Sequence, residues 1–351
     1  MLALREERIR ILIVQTAFVG DIILTTPLIS ALKAIYPGSY LALLTTPAGK
    51  EALSGLKELD EIISYDKRKT EKGICGFFRK VKQIRNRKFD LALSPHRSFR
   101  TALILAFSGI PVLVGFKESS LRWIYHFRIP RQRELHEVER NLKLLDPVSD
   151  LPDGFDAKVK LPVPENFDLS KFGIKPFDNP LIGFAPGSAW ETKRLPAEKY
   201  AQLAQMLIKE LGAKILLLGD AQDQGVCEKI EKLAGVPLLN LCAKTTLPEL
   251  MGIISKLDLL VSNDSAPVHI GSAFSIPSVV IFGPTVPEFG FGPYKNPHRI
   301  VQKQLACRPC HHHGPRKCPE GHFKCMMEIK AEEIFSSAKE LLRERRPRNS
   351  G

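Results

Sequence analysis

The chain has no uninterrupted apolar run approaching the roughly 18 residues that a membrane-spanning helix needs. Its first eight residues, Met1 to Arg8, open on charge instead of the apolar stretch of an export signal. A cytoplasmic protein is expected. No G-x-G-x-x-G turn occurs anywhere, which excludes a nicotinamide-dependent dehydrogenase, because close approach to a dinucleotide pyrophosphate needs those glycines. Aromatic residues are scarce at 8%, and Phe77 and Phe78 are the only ones inside the most basic stretch. Base-stacking surfaces interleave aromatics with cations, and no nucleic-acid module is visible, so no nucleic-acid partner is expected.

What is present is a chain of 351 residues, 44% hydrophobic and 25% charged, the composition of a globular protein with two domains of ordinary size. The net charge of +13 favours an anionic partner. Much of the excess lies between Lys67 and Lys88, where ten Lys or Arg residues meet one acid, Glu71. Ile74, Phe77, Phe78, Val81 and Ile84 fall there at helical spacing, which predicts an amphipathic helix with a basic face. That face is either a solvated connecting helix or a surface for an acidic membrane or acceptor.

Runs rich in Ile, Leu and Val alternate with helical patterns through both halves, which predicts parallel sheets covered on both faces. Strands are expected at 9–15, 40–45, 61–65, 89–94 and 112–115, then at 180–185, 213–219, 237–240, 257–262 and 278–282. Between them, residues 146–180 hold Pro147, Pro152, Pro162, Pro164, Pro176 and Pro180 with little apolar periodicity. The expected organisation is an N-terminal domain over 1–165, a linker over 166–179, a C-terminal domain over 180–330, and a terminal helix and tail over 331–351. The fold class is α/β, two doubly wound Rossmann-like domains facing each other across a cleft.

In such sheets ligands bind beyond the carboxyl ends of the strands. After the first strand comes Gly20-Asp21-Ile-Ile-Leu-Thr-Thr-Pro27, with one glycine and a carboxylate. Asp21 there either caps a helix or accepts a proton. The second half places a polar, restricted loop after three of its strands: Pro186-Gly187-Ser188 leading to Lys193 and Arg194, Asn263-Asp264-Ser265-Ala266-Pro267-Val268-His269, and Gly283-Pro284-Thr285-Val286-Pro287. Together they suggest an anionic nucleotide held by the second domain.

This combination resembles the bacterial ADP-heptose:lipopolysaccharide heptosyltransferases, glycosyltransferase family 9. The motifs that carry the likeness are Gly20-Asp21 with Thr26-Pro27, Phe184-Ala-Pro-Gly-Ser-Ala-Trp-Glu-Thr-Lys-Arg-Leu-Pro196, Asn263 to His269, and Gly283 to Pro287. Ser98 to Thr101, His136 to Asn141 and the segment from Cys307 are smaller echoes. Ala266-Pro267 and Leu195 depart from the usual pattern. The 263–265 and 283–285 segments are similar to those of the members that add the second heptose.

The resemblance implies a GT-B fold and an inverting transfer from ADP-heptose to the inner core of lipopolysaccharide. Asp21 would be the general base and Lys193 the cation that meets the departing diphosphate. Gly20, Ser188, Asp223, Asp264, Ser265, His269, Gly283 and Thr285 would line the substrates. Asp223, more than Asp220, matches the ribose contact, and Asp264, itself an anion, falls to sugar hydroxyls or to orienting donors. No cofactor is required on this reading, since no Asp-x-Asp pair is present to hold a metal against the diphosphate. Another nucleotide sugar or acceptor in the same family is the nearest alternative, and a basic nucleic-acid-binding protein with a zinc element is the alternative from another class. The basic 67–88 segment would make peripheral contact with the inner membrane.

Cys307-x2-Cys310-x7-Cys318-x6-Cys325, with four histidines among them, reads either as a structural metal site or as a loop of reduced or paired thiols, with no catalytic role. Cys75, Cys227 and Cys242 are expected to be buried thiols. The pattern over 331–345 is an amphipathic helix, expected by analogy to cross back to the first domain.

Overall fold

The computed structural model describes residues 8–163, 167–175 and 178–345. The residues before Arg8, Pro164 at the end of the expected first domain, Pro176 of the expected linker, and the tail beyond Arg345 lie outside the described residues. The chain divides into two compact units, Met1–Pro162 and Val163–Gly351.

In the first unit the elements run β1 (Arg10–Gln15), α1 (Val19–Ile23), α2 (Thr26–Ile35), β2 (Tyr40–Thr45), α3 (Pro47–Leu53), β3 (Glu61–Ser64), α4 (Gly73–Arg85), β4 (Leu91–Ser94), α5 (Phe99–Ser108), β5 (Val112–Phe116), β6 (Phe127–Ile129) and α6 (Glu137–Leu142). The strands form one sheet in the order β3-β2-β1-β4-β5-β6, and every neighbouring pair is parallel. Residues 11–15 of β1 are all buried, as a strand covered on both faces must be.

The second unit runs β7 (Leu181–Ala185), α7 (Ala197–Leu211), β8 (Lys214–Leu217), α8 (Gln224–Ala234), β9 (Leu239–Asn240), α9 (Leu247–Ser255), β10 (Leu259–Asn263), α10 (Ala266–Ala273), β11 (Ser278–Phe282), β12 (His298–Gln302), α11 (Lys324–Met327) and α12 (Ala331–Glu344). Its sheet, β12-β11-β10-β7-β8-β9, is again parallel throughout. Numbered within its own unit, each sheet has the Rossmann order 3-2-1-4-5-6. The direction of winding reverses between β1 and β4 in the first unit and between β7 and β10 in the second. The crevice beyond the carboxyl ends of each pair is where such a sheet takes a ligand.

Ten strands fall where the apolar runs predict them. The two that the pattern missed, β6 and β12, each close one edge of a sheet. Phe-Arg-Ile and His-Arg-Ile-Val-Gln carry too few apolar residues to stand out, because an edge strand buries less of itself and tolerates charge. The terminal helix departs from expectation more clearly. The apolar face of α12, Ala331, Ile334, Phe335, Ala338 and Leu341, is buried in the core of the second unit with Phe184, Tyr200 and Leu207, instead of being committed to the first domain.

Phe184 lies on the middle of β7, fully buried, with its ring 5.4 Å from that of Tyr200. Phe184→Ala should therefore destabilise the second unit by about 3–5 kcal/mol, measured as a lowered unfolding midpoint in denaturant. A loss below about 1 kcal/mol would mean that the surrounding helices collapse into the space.

Candidate functional site

The two switch points carry carboxylates in contrasting surroundings. In the first unit β1 runs straight into α1, and Asp21 sits in that short helix's first turn, just after buried Gly20. Backbone N–H groups of Phe18 and of Asp21 itself favour the carboxylate, so Asp21 does part of a cap's work. Burial dominates, however, and with the nearby negative charge of Glu137 it pushes the Asp21 carboxyl up to about 7, against a weaker opposing pull from Arg131. Glu137 is itself buried at the start of α6, paired with Arg131 and, at 3.0 Å, with Arg140. Its helix is fixed by a capping box between His136 and Glu139, and Asn141 Nδ2 donates to the Leu24 carbonyl at 3.3 Å, just beyond α1. Both arginines pair with Glu137, whereas among the described residues no Lys or Arg forms an ion pair with Asp21. The 136–141 echo in the sequence is thus a support for the Asp21 environment, a role its residue types alone did not reveal.

Beside it, past β4, the His96 ring Nδ1 lies 2.9 Å from both the Thr16 and Thr101 hydroxyls. Lys67 Nζ donates to the Thr16 carbonyl at 2.8 Å. Burial, then Lys67 and Arg97, push His96 down to about 4, so the ring is neutral at physiological pH. Lys67, the first cation of the basic segment, therefore faces the ligand end of the sheet and not the outer surface.

In the second unit the loops after β7, β10 and β11 converge. Lys193 closes a 3-10 turn after β7, and its Nζ lies 2.6 Å from Asp264 Oδ2, just past β10. Thr285 Oγ1, past β11, donates to the same oxygen at 2.7 Å. Asp264 thus accepts from two loops through one carboxylate oxygen. Asn263 ties the loops from beneath: its Nδ2 donates to the Pro186 carbonyl at 2.7 Å, and its Oδ1 accepts from the Leu195 N–H at 3.3 Å.

Ser188 is buried; its carbonyl receives Arg194 Nε and Nη2 at 2.9 and 2.7 Å, and its Oγ accepts from the Trp190 N–H at 3.3 Å. Arg194 in turn approaches Asp223 Oδ1 at 3.5 Å. The Asp223 carboxyl presses against Gly187, where an added Cβ would stand 2.0–2.2 Å from its atoms and would displace it. Burial, reinforced by Asp220, raises the Asp223 pKa. Between the two acids that the sequence offered here, Asp223 is the one against the loop. Ser265 precedes α10, its Oγ donating to the Asn263 carbonyl at 3.2 Å, and His269 is buried on α10. Gly283 lies against the Met326 side chain, which would have to shift to admit a Cβ there.

The cysteine-rich segment proves to be part of this construction. Arg308 donates to the Thr285 carbonyl at 2.8 Å and to Gln302 Oε1 at 3.0 Å, and the Cys310 N–H donates to the Pro284 carbonyl at 3.0 Å. Thr192 donates to the Pro315 carbonyl, and Gly314, at φ +88°, lies against the Lys193 stem. His313 stacks on Trp190 at 6.4 Å. Residues 308–315 therefore brace both the Lys193 turn and the Thr285 loop, although no spacing rule marks Arg308 or Gly314. Burial raises the pKa of Cys310 and pushes Cys325 up to about 11, which keeps these thiols protonated. Among the described residues no three His, Cys, Asp or Glu side chains are grouped to hold a metal ion. Cys227 and Cys242 are buried as expected, but Cys75 is exposed, because it falls on the outer side of α4.

Against known proteins, residues 77–321 match the model for glycosyltransferase family 9 (heptosyltransferase). Lipopolysaccharide heptosyltransferase 2 of Escherichia coli K12 is 26% identical over 352 residues, covering 95% of this chain and 98% of its own. Among solved structures, a glycosyl transferase family 9 protein of Veillonella parvula superposes with a TM-score of 0.87 at 24% identity, over 98% of this chain and all of the other. The E. coli ADP-heptose lps heptosyltransferase II does so with a TM-score of 0.77 at 23% identity, over 96% and 99%. The paired sheets are those of the GT-B heptosyltransferases. With the family match spanning most of the chain, and Rossmann-order sheets that carry its motifs at their ligand ends, this protein belongs to glycosyltransferase family 9.

Proposed function

We propose that this glycosyltransferase moves a heptose from ADP-heptose onto the inner core of lipopolysaccharide, with inversion at the sugar's anomeric carbon. The observation that carries the donor half is the Lys193 ammonium, held at the ligand end of β7 and β10 by Asp264 and Thr285. An ammonium has three donors, so Lys193 keeps its bond to Asp264 while presenting N–H groups to a diphosphate. The acceptor hydroxyl forms its bond to the anomeric carbon as the bond to the diphosphate oxygen breaks. ADP leaves with the electron pair, and its charge is met by the preplaced cation. The hydroxyl proton goes to Asp21. A carboxylate with a pKa of about 7 is a better proton acceptor than an ordinary one and is still half ionised at neutral pH.

The remaining residues take substrate-contact roles. Ser188 and Gly283 border the diphosphate, Asp223 takes the ribose hydroxyls, and Ser265, His269 and Thr285 face the diphosphate and the sugar. Gly20 lets the acceptor approach Asp21. The reading calls on no metal or cofactor. The relatives named for this activity support the sugar and the acceptor, and a lipid-anchored acceptor agrees with a cytoplasmic enzyme in peripheral contact with the inner membrane through residues 67–88.

Calorimetric titration with ADP, UDP, GDP and ADP-heptose tests the donor. ADP and its heptose conjugate should bind preferentially, and a preference for UDP or GDP would overturn the sugar nucleotide. Lys193→Ala should weaken ADP binding by about ten- to a hundred-fold, the loss of hydrogen bonds to a charged group.

Asp21→Asn should lower kcat by at least about a hundred-fold, the usual contribution of a general base, with ADP affinity within about two-fold. Full turnover in that variant would remove Asp21 from the mechanism.

Because the base form is the deprotonated one, kcat/KM should rise with pH through about 7. The gain between pH 6 and pH 8 should be about ten-fold, and a flat profile over that window would contradict the assignment.

A further inference from the structure

Helices α4 and α5 pack side by side on the first sheet. Their inner faces, with Val81, Ile84, Ile104 and Leu105, belong to the core of the first unit. Their outer faces are also apolar. On α4, Ile74 and Phe78 stand one turn apart and are 75% and 55% exposed; on α5, Phe99 and Phe107 stand two turns apart and are 56% and 53% exposed. The half-buried Phe77 ring links the helices, edge-on to Phe78 at 5.2 Å and to Phe107 at 6.4 Å. Trp123, in the turn after β5, is 69% exposed. Nine large hydrophobics are exposed among the described residues, and five of them fall on these two helices and this turn. Apolar residues scattered singly need no explanation, but a contiguous cluster of this kind marks an interaction surface.

The charge on the same helix is of one sign. The stripe of α4 that begins with Ile74 and Phe78 continues through Lys82 and Arg85, flanked by Lys72 and Arg79, all exposed. The one acid of the segment, Glu71, is neutralised by Lys80 at 3.0 Å. A wedge of aromatic and aliphatic side chains beside unopposed cations matches a bilayer with anionic headgroups, in which the rings enter the acyl boundary and the cations stay at the phosphates. Nucleic acid would use the cations and stack on the rings, but would have no use for Ile74.

We propose that the outer face of α4 and α5, with Ile74, Phe78, Phe99 and Phe107 as the inserting residues, docks this enzyme on an anionic lipid surface. The proposal deepens the reading of a lipid-anchored acceptor: it names the residues that enter the membrane, and it places α5 in the contact beside the basic segment. It needs no spanning segment, and among the described residues no helix is long and apolar enough to cross a membrane.

The test is flotation of the purified full chain with phosphatidylcholine vesicles, with and without phosphatidylglycerol, at about 0.1 M salt, where surface charges further apart than about 10 Å are screened. The wild type should float with the anionic vesicles and remain below with the neutral ones. Phe78→Ser combined with Phe107→Ser should weaken binding at least ten-fold. Lys82→Gln combined with Arg85→Gln should weaken it about five-fold per cation removed, the effect of one near-surface charge. Both variants should keep wild-type ADP affinity and melting temperature, which separates this proposal from the donor reading, since that is decided by which nucleotide the wild type binds. Failure of the wild type to float, full binding by the Phe variant, or a dimer in solution that the same substitutions dissociate would each overturn the proposal. Preferential capture of RNA over vesicles would overturn it as well.

Discussion

A carboxylate buried without compensation is among the most costly groups a fold can contain, and the second unit is arranged around one. Asp264 lies at the end of β10, 8% exposed, and the groups that satisfy it come from the two neighbouring strand ends: Lys193 after β7 and Thr285 after β11. Asn263, one residue earlier, binds the Pro186 carbonyl and the Leu195 N–H. Three loops that are far apart in sequence are thereby held to one point. The segment from Arg308 to Pro315 closes the arrangement from outside, one end on Thr285 and the other on Thr192 and Lys193. A cation fixed in this way loses little freedom when an anion arrives, which is the physical content of preorganisation.

The first unit treats its carboxylate in the opposite manner. Asp21 has the same position relative to its sheet that the Lys193 turn has relative to the other, immediately beyond the first strand at the reversal of winding. Instead of a lysine at hydrogen-bond distance it has burial and the neighbouring Glu137, which is itself paired with Arg131 and Arg140. One carboxylate is therefore hydrogen-bonded to its partners, and the other is left near the midpoint of its titration at neutral pH. The same sheet topology, used twice, carries different loops and different charge surroundings at the carboxyl ends of its strands.

The basic segment 67–88 divides in the same spirit. Lys67 turns toward the ligand end of the first sheet, Lys80 is buried against Glu71, Arg87 pairs with Glu61, and Lys72, Arg79, Lys82 and Arg85 stay exposed on or beside α4 with Ile74 and Phe78. A run that reads as one feature in sequence thus serves a crevice, a core and a surface. The surface role depends on α5 as much as on α4, since the exposed rings of both helices meet around Phe77.

From the sequence alone came the class of the fold, ten of the twelve strands, and the loops that fall at the carboxyl ends of those strands, because apolar periodicity and chain-breaking residues act locally. It pointed to Asp21, Lys193 and Asp264 as the residues of consequence through the family motifs they sit in. The edge strands β6 and β12 were not legible, since a strand with one neighbour needs little apolar character. Nor were the packing of α12 on the second core, the exposure of Cys75, the influence of Glu137 on Asp21, or the bracing by Arg308 and Gly314. Each of these depends on which surfaces meet across long stretches of chain, and so does the proton affinity of a carboxylate. Local pattern fixes which residues are available, whereas burial and the company of other charges, which set what those residues do, exist only once the chain has folded.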